Sequence, residues 1–217
     1  MKFRTDFVTN SSSSSFLLTL KVELKNGKTI EFEAASDCEG GTDYSCLSVR
    51  KSPKEWAESK NIDELVKIII ESVKEGLESD DEYDDEFCSI NVFTEESSFI
   101  KQIKEINSMD EIAKITIEGF EDAGYNIEED DYSGPYANSK IVSYDLINKK
   151  GSLVRYGYDG YIETGEGTGG ELNFSTNGIK RVSKKQPDDW YEEKKERLDN
   201  AYRNNFWDQL FEDDDEE

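Results

Sequence analysis

The sequence predicts an α+β protein: antiparallel β-hairpins covered by two or three helices, with a C-terminal helix carrying an acidic tail. Three observations lead there. Phe16, Leu18, Leu20, Val22 and Leu24 alternate, and Ile30, Phe32 and Ala34 alternate again beyond Asn26-Gly27. Asn-Gly between two period-2 runs is the strongest short-range hairpin signal, because both residues accept positive φ. Ile62, Leu65, Val66, Ile69, Val73 and Leu77 recur at helical spacing behind an Asn61 cap, which predicts a helix over 62–78. Leu198, Tyr202, Phe206 and Leu210 stand four apart near the end of the chain. Tight turns join several strands, which disfavours parallel βαβ winding.

In chain order, the first hairpin has one apolar face that something must cover, and the 62–78 helix is the natural cover. Residues 36–50 read as irregular, broken by Gly40-Gly41. Ser52-Pro53 caps a short helix through Trp56. Beyond an acidic run, Cys88, Ile90 and Val92 alternate as a strand. A helix over 95–106 gathers Phe99, Ile100, Ile103 and Ile106, and Ser108 with Glu111 has the capping-box spacing. The segment Ile112 to Phe120 fits a strand through Ile115 and Ile117, or a helix through Ile112, Ile115 and Phe120.

Residues 126–139 are acidic and punctuated by Gly134 and Pro135. They separate an α+β region, 1–125, from a strand-rich region, 140–217, or else connect two parts of one intertwined domain. In the second region strands run from Ile141 to Ile147 and from Leu153 to Ile162, around a turn at 148–151. A strand over Leu172-Asn173-Phe174 turns at Thr176-Asn177-Gly178 into Ile179 to Val182. A helix over 188–211 precedes the tail, Asp213 to Glu217.

The head of the chain reads TDFVTNSSSSSF from Thr5 to Phe16. It resembles the N-terminal head of a group of uncharacterised bacterial and phage proteins whose bodies differ. The resemblance covers only those residues and implies a bacterial or phage origin. Composition alone makes the stretch a polar N-terminal segment.

Charge bounds the function. The 217 residues carry 50 Asp and Glu against 26 Lys and Arg, for a net charge of −24, and no histidine. Such a surface repels a nucleic-acid backbone and an anionic membrane and is steered toward basic surfaces, which usually belong to nucleic-acid-binding proteins. Self-repulsion predicts stability that rises with salt. Without histidine, Ser-His-Asp and Cys-His catalysis are excluded, leaving carboxylate, lysine or metal-dependent chemistry. No catalytic, cofactor-binding or metal-ligating residue is singled out. Gly165 to Gly170 matches GxGxxG, but strand and turn residues follow it where a phosphate site needs a helix. Neither acidic run has the ligand spacing of an EF-hand loop.

The candidate partner-binding residues are the two acidic runs with their tyrosines: Asp80, Asp81, Glu82, Tyr83, Asp84, Asp85 and Glu86, then Glu128, Glu129, Asp130, Asp131 and Tyr132. Together with Asp188-Asp189, Glu192-Glu193 and the tail, they would present a field like that of a phosphate backbone. The leading expectation is a non-catalytic acidic protein that mimics nucleic acid. Its concrete form is a phage or mobile-element inhibitor of a basic defence nuclease. The alternatives are a bacterial assembly module that binds through apolar surfaces, and a carboxylate-based metal-dependent enzyme. Lys149, Lys150, Arg155, Lys180, Arg181, Lys184 and Lys185 make the late strands locally basic. Three cysteines, Cys38, Cys46 and Cys88, do not make a disulfide scaffold. With no apolar run long enough for a membrane span or signal core, the expected compartment is the cytoplasm.

Overall fold

The structure, a computed structural model, describes residues 14–38, 47–77, 88–122, 137–157, 173–174, 179–181 and 187–203. In chain order the elements are β1 (Ser14–Leu24), β2 (Thr29–Cys38), β3 (Leu47–Val49), α1 (Pro53–Ala57), α2 (Ile62–Ser72), β4 (Val73–Leu77), β5 (Cys88–Asn91) and α3 (Ser98–Lys104). They continue with β6 (Ile112–Asp122), β7 (Ala137–Asp145), β8 (Lys150–Gly157), β9 (Asn173–Phe174), β10 (Lys180–Arg181) and α4 (Trp190–Arg203). The class is α+β: two largely antiparallel sheets, four helices, and a C-terminal helix among them. Phe206, Leu210 and the tail from Asp213 lie outside the described residues.

The first hairpin forms where the alternation places it, with β1 and β2 paired from Ser14↔Cys38 to Glu23↔Thr29. Its turn differs from the expected one. The Gly27 N–H donates to the Leu24 carbonyl at 2.9 Å and the Leu24 N–H to the Lys28 carbonyl at 2.8 Å. Lys25 thus joins the loop, and only Gly27 needs positive φ, +88°. Asn26 instead accepts the Lys28 N–H on its side-chain oxygen, 2.9 Å away. A three-residue loop with a left-handed glycine is a bulged hairpin.

The β7–β8 turn falls two residues before the expected 148–151. The Asp145 carboxylate accepts the Ile147 and Asn148 N–H groups, each at 2.9 Å, and the chain reverses over 146–149 with Lys149 at φ 50°. Lys150 and Gly151 then belong to β8. The backbone bond from Asn148, followed by its side-chain bond, holds Asp145 below the ordinary carboxylate range.

Three other expectations need correction. The helix over 62–78 stops at Ser72, and the chain passes straight into β4. Residues four apart share a face in a helix and also in a strand, so Val73 and Leu77 extended the helical pattern falsely. The helix over 95–106 is only Ser98–Lys104. Ser108 makes no side-chain cap bond; it precedes a single 3₁₀ turn, and the Glu111 carboxylate accepts from Asn107 at 3.0 Å. By contrast, α1 carries a complete capping box between Ser52 and Glu55. Burial alone would raise Glu55, but the Ser52 hydrogen bonds and Lys51 outweigh it and lower the carboxyl.

Ile112 to Phe120 is strand: β6 pairs with β1 on one side and β7 on the other. The large sheet therefore runs β10-β8-β7-β6-β1-β2, joining strands from before and after the acidic connector. The small sheet runs β5-β4-β3-β9. The expected turn from Phe174 into Ile179 does not make a hairpin. β9 adds in parallel to β3, while β10 adds in parallel to β8 in the other sheet. Each short strand covers a different sheet edge, and that pairing outweighs the local turn signal.

Alternation gives the large sheet two unlike faces. Leu18, Leu20, Val22, Ile30, Ile115, Ile117, Val142 and Leu153 join one core with residues of α1, α2, α3 and the small sheet. The opposite face contributes Leu17, Ala35, Phe120 and Ala137 to a smaller core with Trp190 and Leu198 of α4. The helix over 62–78 was expected to cover the first hairpin; α2 does so together with α1 and α3.

Candidate functional site

α4 is seated by aromatic contacts at its start. The Trp190 ring meets Phe120 edge-on at 5.8 Å and lies 6.0 Å from Tyr156, and the Tyr191 hydroxyl donates to Asp122 at 3.2 Å. From there helical spacing turns Lys194, Arg197, Leu198 and Ala201 toward the sheet. Two of these four are cations. They meet the polar residues that alternation sets on this face of the sheet: Thr19 on β1, Glu31 and Glu33 on β2, Glu118 on β6 and Ser139 on β7.

The Lys194 ammonium lies 2.6 Å from a Glu118 carboxylate oxygen, with both residues only 6% exposed. The Ser139 hydroxyl donates to the same oxygen at 3.2 Å. Arg197 donates to Glu31 at 2.7 Å and also to Glu33, which accepts the Thr19 hydroxyl at 3.0 Å. Lys21 meets Glu31 at 3.0 Å. Burial works against the Arg197 charge, but the carboxylates of Glu33, Glu118 and Glu31 outweigh it and hold the guanidinium above its ordinary value. The hydroxyl of Thr116, also buried on this face, has no hydrogen-bond partner among the described residues.

With those two cations turned inward, the outer side of α4 is mostly acidic; Lys195, 3.9 Å from Asp122, flanks it and Arg203 ends it. Asp189, Glu192, Glu196 and Asp199 follow at spacings of three and four, so they share one stripe. Asp189, Glu192 and Glu196 are exposed. None of the four is in an ion pair among the described residues. At 1.5 Å per residue the stripe is about 15 Å long, or one carboxylate per roughly 5 Å. A single nucleic-acid strand in a duplex carries one charge per about 3.4 Å of axis. Glu193 sits apart, toward Lys194 at 3.8 Å and Arg197 at 3.9 Å.

The twelve sequence-predicted partner residues, Asp80 to Glu86 and Glu128 to Tyr132, lie outside the described residues. The strands that flank them are described. Leu77 and Cys88 are partners across β4 and β5, and Asp122 and Ala137 across β6 and β7, so each acidic run connects two adjacent antiparallel strands. The α4 stripe was legible only as an acidic pair of doublets. What singles it out is the inward turn of Lys194 and Arg197, which needed the sheet's register.

Glu75 is a buried acid of another kind. It lies on the interior strand of the small sheet, opposite Leu47 on β3 and Ile90 on β5, and is 9% exposed. Burial pushes its carboxyl up to about 7. No ion pair or side-chain hydrogen bond compensates it among the described residues. Among those residues no cluster of three or more acids or cysteines could hold a metal ion, and no helix is long and apolar enough to cross a membrane. A shallow cleft of about 250 Å³ between the two hairpin turns is lined by Glu23, Lys114, Asp145 and Ile147. Its charges are already engaged, Lys114 with Glu23 at 3.4 Å. No family model, curated protein or solved structure matches the chain.

Proposed function

We propose that this is a non-catalytic acidic binding protein that occupies the basic, nucleic-acid-binding surface of a partner protein. The observation that carries the reading is the sorting of charge on α4. Lys194 and Arg197 are consumed against the sheet, while Asp189, Glu192, Glu196 and Asp199 form a row that is in no ion pair among the described residues, with Lys195 at its flank and Arg203 at its end. With a net charge of −24 over the whole chain, such a row attracts lysine- and arginine-rich surfaces and repels nucleic acid. The acidic runs 80–86 and 128–132 extend the same field in this reading. An inhibitor of a basic defence nuclease remains its concrete form.

The test is affinity capture from bacterial lysate at low and at high salt, using the protein and a variant with Asp189, Glu192 and Glu196 changed to Asn and Gln. Nucleic-acid-binding proteins should be enriched at low salt, released at high salt and diminished on the variant. A retained set that survives high salt and ignores the substitutions would replace this reading with that of an assembly module.

A further inference from the structure

Among the described residues the large sheet has an open edge. β2 is its outermost strand, and α3 and α4 pack beside it on opposite faces. The Leu24–Lys28 bond that closes the hairpin fixes which β2 residues bond to β1. By antiparallel alternation Ile30, Phe32 and Ala34 turn their N–H and C=O groups inward, and Thr29, Glu31 and Glu33 turn theirs outward. No hydrogen bond among the described residues satisfies those outward groups. Thr29 and Glu31 are exposed, so the edge is reachable from solvent there.

We propose that this edge takes up an extended segment of the basic partner as an added strand, its side chains alternately apolar and basic. The inference rests on the reading of the partner as basic, and it names how that partner is held. Backbone pairing at an open edge supplies affinity, and the alternating side chains supply selectivity. On one face of the edge stand Glu31 and Glu33, which Arg197 and Lys21 already engage; Glu31 is still exposed, and there a lysine or arginine of the added strand would share its carboxylate. On the other stands Phe32, whose ring meets Phe93 at 4.6 Å and Phe99 at 5.9 Å, where an apolar side chain would lie.

The same residues exclude the obvious competitor, a second copy of this chain. An antiparallel β2–β2 pair centred on Glu31 would set Glu31, with its Lys21 and Arg197 partners, against its own counterpart, so two like clusters would be crowded together. The −24 charge on each chain adds to that repulsion. The net charge thus opposes self-association and favours a cationic strand.

The experiment uses the full chain and a synthetic peptide of alternating Val and Lys, about eight residues long, with a second peptide N-methylated at alternate residues. Binding is titrated at low and high salt, and amide hydrogen exchange is read residue by residue. The expected result is new protection at Thr29, Glu31 and Glu33, none gained at the already paired Ile30 and Phe32, and loss of binding by the N-methylated peptide. Thr29→Pro removes one outward donor at a position where a strand tolerates proline, and should weaken binding about fivefold. Salt-sensitive binding without that protection, and equal for both peptides, would overturn strand addition and leave the charge reading intact. No binding of either peptide would overturn both.

Discussion

On one face of the large sheet Leu20, Ile115, Ile117 and Val142 meet the apolar sides of α1 to α3; on the other, Thr19, Glu33, Glu118 and Ser139 meet Lys194 and Arg197 of α4. The same strands build both faces. The first is held by apolar burial, which has no direction and accepts any helix of suitable shape. The second is held by charged hydrogen bonds, which are directional and fix the helix in rotation and register. Burying a salt bridge adds little net stability, because desolvation opposes the attraction. What the second face gains is placement, and placement keeps α4's acids pointing outward.

Among the largest effects should be that of depriving the buried lysine of its partner. Glu118→Leu leaves Lys194 only the exposed Glu193, 3.8 Å away, and should lose about 3 kcal/mol in denaturant unfolding. Adding Lys194→Met should restore stability to the parent's level or above it. If the double variant is as unstable as the single, the polar face contributes more than placement. Leu20→Ala, on the apolar face of the same sheet, should lose about 3 kcal/mol by cavity formation, with no second-site rescue by charge.

Glu75 sharpens the comparison from the small sheet, where an acid is buried without a cation. Its carboxyl sits at about 7 in the folded protein, against an ordinary 4.5. The native state therefore holds this proton more tightly than the unfolded chain does. Its contribution is fully present below pH 4.5 and is lost as the pH rises to about 7. Glu75→Gln should flatten that part of the stability profile and gain about 2 kcal/mol above pH 7. An unchanged slope between the two values would show that the carboxylate is hydrated when folded.

Much of the architecture is legible in the sequence, and the reasons it fails elsewhere are specific. The β1–β2 hairpin is written in strict alternation, and the α1 cap in Ser52-Pro53 with Glu55. The join between α2 and β4 is hidden because Val73 and Leu77 satisfy both periods. The polar side of the first hairpin, Thr19 with Glu31 and Glu33, reads as a solvated face, since nothing local announces a helix that buries cations against it. Lys194 and Arg197 read as surface residues for the same reason. Charge composition pointed toward a basic partner, and the two acidic runs it named lie outside the described residues, while the ordered row on α4 emerged only from packing.

β6 sits between β1 and β7, so the middle of the sheet is completed by a strand that leaves the ribosome far behind its neighbour. Between Leu24 and Asp122, at about 5–20 residues per second, roughly 5–20 seconds of synthesis elapse. A hairpin closes in about 1–10 microseconds. The β1 side of the first hairpin therefore stays unpaired until β6 is made, although α1 to α3, which cover its leucines, are synthesised before it. Until then the hairpin has two open edges, and the charged residues interleaved along it, Lys21 and Glu23 on β1 and Glu31 and Glu33 on β2, are what the nascent chain has to keep them apart from other strands.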